Sequence, residues 1–117
     1  MPTANNKVGE ARTFRPTVEG GVLAPQILDV SATSDLTLAF DLCEVINTGD
    51  SIESVVEVVE MGTTEEPTIT EQAVSDDSRS ITFRISGFNA GKQVRIRCDV
   101  LTKTGDRLSH VGLIQVA

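Results

Sequence analysis

Apolar and polar residues alternate along most of this chain. Leu36, Leu38, Phe40 and Leu42 are separated by Thr37, Ala39 and Asp41, with Cys43 following. A period of two over eight residues marks a strand that buries one face. The same period recurs at Ile81, Phe83 and Ile85, and at Val94, Ile96, Cys98 and Val100. Ser51 to Met61 is rich in valine broken by Glu53, Glu57 and Glu60, and its β-branched content favours a strand over a helix. Ile27–Val30 reads as a first strand, Thr68–Thr70 as a short edge strand, and about Arg107 to Val116 as the last.

Turn chemistry separates these segments. Asn47-Thr48-Gly49-Asp50, Ser75-Asp76-Asp77-Ser78, Asn89-Ala90-Gly91 and Thr104-Gly105-Asp106 all fall between apolar runs. Seven strands at roughly 8–12-residue spacing, with no helical periodicity, predict an all-β fold, an immunoglobulin-like β-sandwich. In that order the second strand pairs with the fifth and the third with the sixth. Residues 1–26 differ from the rest. They hold three of the four prolines and the pair Gly20-Gly21, and their apolar residues show no period. Two parts are expected, an extended N-terminal arm over 1–26 and the sandwich over 27–117.

Charge sharpens this division. Over 117 residues, 17 acids and 10 bases leave −7. Residues 1–26 carry +1, residues 27–77 carry thirteen acids and no base, and residues 78–117 carry +5. An acidic chain with no Trp, no Tyr and four Phe is a poor nucleic-acid binder, which would want a basic surface and stacking platforms. No run approaches the roughly 20 apolar residues that span a bilayer, and no signal-peptide pattern opens the chain. No nucleic-acid or membrane partner is expected. If the strands pair as above, acidic and basic halves meet inside the fold: Asp41 lies beside the strand of Arg84, and Glu53 and Glu57 beside that of Arg95 and Arg97. Opposite charges across strands contribute roughly 0.2–1 kcal/mol per pair. The surplus acids in the loops either keep the domain soluble or face a basic partner.

Candidate chemistry is sparse. His110 is the lone histidine and lies in no nucleophile context. Asp76-Asp77 and Glu65-Glu66 lack the ligand spacing of a calcium loop. Gly87 to Gly91 has no phosphate-loop lysine or following helix. Cys43 and Cys98 are 55 positions apart, which suits neither a zinc site nor a redox pair. Cys98 shares the inward register of its strand, whereas Cys43 falls opposite Leu42 and is expected to point outward. No enzyme, cofactor or metal is expected.

One resemblance adds a role. Leu38-Ala39-Phe40-Asp41-Leu42, followed by Thr48-Gly49-Asp50-Ser51-Ile52-Glu53-Ser54-Val55, resembles a stretch of small tailed-phage virion proteins of the fibre–tail adaptor type. The run Ile81 to Cys98 and the hairpin Val100 to Arg107 continue the likeness in the same order. It covers roughly residues 36–117 and not the arm. The family's tryptophan after the Gly-Asp stretch is replaced here by Val56 to Val59. The resemblance implies a structural virion protein, made in the host cytoplasm. Its partners would be other virion proteins (tail, fibre or major capsid protein), in a homo-oligomer or symmetric array. Its role would be that of a fibre–tail adaptor or, alternatively, of a capsid decoration (cement) protein. Extended segments dock by adding to a sheet edge or lying in a groove. The arm residues Arg12, Phe14, Arg15, Val18, Val22 and Leu23 are therefore the expected partner-binding set.

Overall fold

A computed structural model describes residues 8–9, 12–16, 27–60 and 67–117. Eight strands form two four-stranded sheets. In chain order they are β1 (Thr13–Phe14), β2 (Ile27–Val30), β3 (Leu36–Asp41) and β4 (Ile52–Glu60). β5 (Thr68–Val74), β6 (Ser80–Ser86), β7 (Gln93–Thr102) and β8 (Arg107–Val116) follow. One sheet runs β1-β3-β6-β5 and the other β2-β8-β7-β4. The two face each other as a β-sandwich, with β3 paired to β6 and β4 to β7, as expected from the strand order.

The alternation seen in the sequence builds the core directly. Leu38, Phe40, Leu42, Ile81, Phe83 and Ile85 are fully buried, and Ile96, Cys98 and Val100 meet them from the opposite sheet. Phe14, Phe40 and Phe83 form an aromatic row, with ring centroids 5.1 and 6.0 Å apart along it. Such contacts add about 0.5–1.5 kcal/mol beyond the area buried.

Two departures from strict alternation have local causes. β3 stops at Asp41, whose carboxylate accepts the Cys43 backbone N–H at 3.0 Å, and the backbone N–H of Ile46 then donates to the Leu42 carbonyl. This turn breaks the period of two, so Cys43 is buried, not outward as expected. Along β4, register shifts between Ile52 and Ser54 and between Val55 and Glu57 insert one extra residue each. The bulges explain the broken valine pattern and leave Glu53 and Val56 exposed on an edge strand, where bulges discourage pairing with other chains.

β1 was not expected as a strand. It lies parallel to β3, with Thr13 opposite Ala39 and Phe14 opposite Phe40. β2 lies parallel to β8 in the other sheet. Residues 12–16 of the expected arm thus border one sheet, and β2 borders the other.

Candidate docking surface

Arg12 is exposed, and its backbone N–H donates to the Gly9 carbonyl at 2.9 Å. It lines an open groove of about 300 Å³ between the β1 border and β2, together with Leu28, Asp29, Val30 and Leu36. Leu28 and Val30, which line it, are themselves largely buried, and Ser31 and Ser34 complete the lining.

Phe14 was expected at a partner interface. Its ring is instead fully buried among Phe40 and the core, packed over Gly112 of β8. The missing side chain of Gly112 leaves the space that the ring fills. Arg15 is likewise committed to this chain. Its Nε stands 3.3 Å from Oδ2 of Asp41, a carboxylate only 3% exposed. A buried carboxylate without a cation would be costly, so the guanidinium ties the arm to the end of β3. The expected partner of Asp41, Arg84, pairs instead with Asp35 at 3.0 Å, because the register sets Arg84 opposite Thr37. Val18, Val22 and Leu23 lie outside the described residues.

Spacing along the sequence does not reveal the Arg15–Asp41 pair. Its partners are 26 positions apart and meet only through the register of β1. Gly112 did leave a signal, since a glycine inside an alternating strand marks a bulge or a close approach.

The loop that follows this end of β3 carries a hydrogen-bonded cluster. Asp50 accepts the Thr104 hydroxyl at 2.6 Å and the backbone N–H groups of Ser51 at 2.8 Å and Thr104 at 3.3 Å. These bonds, the Thr104 hydroxyl first, hold its carboxyl below the ordinary range. The Lys103 backbone N–H donates to the Ser51 carbonyl, and Gly105 takes φ 99° in the hairpin that presents Thr104. Asn47 Nδ2 adds a bond to Asp106 at 3.3 Å. The two turns quoted in the resemblance therefore serve to lock the β3–β4 loop onto the β7–β8 hairpin.

The ionisable groups in the core are poorly suited to catalysis. Burial pushes the Cys98 thiol up to about 12, and burial is also the main cause that raises Cys43. His110 faces the same way as Cys98 across the β7–β8 ladder, is half-buried, and has its pKa lowered by that burial. Among the described residues no three His, Cys, Asp or Glu side chains converge as a metal site.

A family model described as podophage GP4 fiber-tail adaptor protein gp77 matches residues 29–115. The match takes in β3 to β7, the second half of β2 and β8 up to Gln115, and leaves β1 outside. No curated protein matches the chain.

Proposed function

This chain belongs to the podophage fibre–tail adaptor family, and from that premise we propose that it is a non-enzymatic docking module joining tail and fibre proteins. The match over residues 29–115 carries this reading. The buried thiols and the half-buried histidine fit it, because burial keeps both thiols protonated and the histidine neutral. The protein is made in the host cytoplasm and works in the virion, as one copy of a symmetric array.

Within this reading the sandwich is the rigid body and the N-terminal segment the attachment. Phe14 and Arg15 fasten that segment to the sandwich. Docking then falls to Arg12, at the mouth of the groove, and to Val18, Val22 and Leu23 in the connection to β2. Short apolar side chains in the segment between β1 and β2 suit a groove or sheet edge on a neighbouring virion protein.

The test is phage assembly with Val18, Val22 and Leu23 all changed to Asp. Purified variant should unfold at the wild-type temperature, yet particles should lack both this chain and their fibres. Particles that incorporate the variant normally would overturn the assignment of these residues. Copy number in wild-type virions checks the role itself: an adaptor matches the tail in number, whereas the many copies that coat a head would indicate capsid decoration.

A further inference from the structure

Four strands border the two sheets, and three of them are poorly suited to pairing with another chain. β1 covers two residues, and Pro16, which has no N–H, follows closely. β5 breaks its register between Thr70 and Ala73, where Glu71 takes φ 54°. β4 carries its two register shifts with Glu53 and Glu57 exposed. Bulges, charges and very short strands all guard a sheet edge. β2 is short but otherwise unguarded: Ile27–Val30 keeps one unbroken register against Leu113–Val116.

One bond fixes the direction of the β2 backbone groups. The Ala117 N–H donates to the Val30 carbonyl at 2.8 Å, so Val30 turns its backbone groups toward β8. In a pleated strand alternate residues bond to opposite sides. Leu28 therefore also serves β8, whereas Ile27 and Asp29 aim their N–H and C=O groups at the open side. Among the described residues nothing pairs with them there. The open row ends at Ser31, whose N–H donates to Ser34 Oγ at 3.2 Å and whose carbonyl accepts the Ser34 N–H at 3.1 Å. Alongside it runs the groove lined by Leu28, Val30 and Leu36.

We propose that the open edge of β2 pairs antiparallel with the same edge of a second copy of this chain, joining the two β2-β8-β7-β4 sheets into one. The two-fold axis stands perpendicular to the joined sheet. Paired residues must share a face, which leaves two close registers. One sets Asp29 opposite Asp29, where like charges oppose, and Ile27 opposite Ser31, whose backbone groups are already used. The other, which the pairing takes, centres on Leu28 and sets Ile27 opposite Asp29 on both sides of the axis. Each such pair exchanges both its N–H···O bonds, so every free group of the two edges is used. The Leu28 residues meet on the axis as a non-hydrogen-bonded pair, with Cα atoms about 4.5 Å apart. An unrelated strand would have to supply this match, whereas a second copy supplies it by symmetry. The pairing does not rest on the adaptor reading, which stands or falls with particle assembly.

Sedimentation of the purified full chain over a concentration series tests it. Wild type should pass from one chain to two as concentration rises. Asp29→Pro should stay a single chain, because its lost N–H faces the open side and the ring blocks an incoming strand. It should keep the wild-type unfolding temperature where wild type is also a single chain, since no bond to β8 is lost. Should Asp29→Pro fail to fold, Ile27→Pro at the first position of β2 replaces it. Cysteine variants read the register, because Cys43 and Cys98 are buried. Under mild oxidation Leu28→Cys should link two chains through a disulfide across the axis, and Val30→Cys should not. A wild type that stays a single chain at every concentration would overturn the proposal and leave the edge to a strand of another protein. Proline variants that associate normally, or a Leu28→Cys chain that links no faster than Val30→Cys, would overturn it as well.

Discussion

Gly112 lies beneath the ring of Phe14: a Cβ at position 112 would stand 2.8 to 2.9 Å from three of the ring carbons. The N-terminal strand therefore seats its one aromatic on bare backbone of the opposite sheet. Gly112→Ala is expected to push the ring out and destabilise the fold by about 1–3 kcal/mol, the usual cost of overpacking. Phe14→Leu should shrink that penalty, so a double-mutant cycle in urea should show strong coupling. Additive effects would mean that the ring does not occupy this place in solution.

Arg15 and Asp41 supply the polar half of the same attachment. Arg15→Gln removes a cation 3.3 Å from a carboxylate only 3% exposed, and an expected loss of about 1–3 kcal/mol follows. Asp41→Asn in the Arg15→Gln background should restore part of it, because the buried charge is gone. Thermal unfolding of the single and double variants measures this.

Stability should fall on the acid side in two steps. His110 has a folded pKa below its ordinary 6.5, so the unfolded chain binds the proton more readily. Its contribution is full above 6.5 and is lost as pH falls from there to the folded value. Asp50 has its folded pKa below 3.8, so its contribution holds above 3.8 and is lost as pH drops through the lower folded value. His110→Asn should remove the first slope and Thr104→Val should reduce the second. Urea midpoints across pH read both.

The thiols should be slow to react. Cys98, at about 12, holds almost no thiolate near neutrality, and Cys43 is both buried and raised. Native protein should consume a thiol reagent at least tenfold more slowly than denatured protein, with both thiols titrating after unfolding. Rapid reaction of one thiol in the native state would place Cys43 at the surface after all.

Much of the sandwich was legible beforehand because a buried sheet face writes a period of two into the chain. Leu38, Phe40, Ile81, Phe83 and Ile96 are inward where the alternation puts them. The β4–β7 charge pair was half-legible: Arg97 does meet Glu57, while Glu53, shifted onto a bulge, does not share that ion pair. Cys43 was misplaced because an aspartate side chain ended the strand two residues early, and periodicity carries no sign of such a turn.

The local code of this protein thus set strand positions, turn sites and the inward face of each strand, since all of these depend on neighbours one or two residues away. Only the tertiary structure decided which strand borders which sheet, that Arg15 closes on Asp41, and that Phe14 belongs to the core. Those outcomes depend on contacts between residues tens of positions apart, from Phe14 to Gly112 above all, and local alternation holds no record of them.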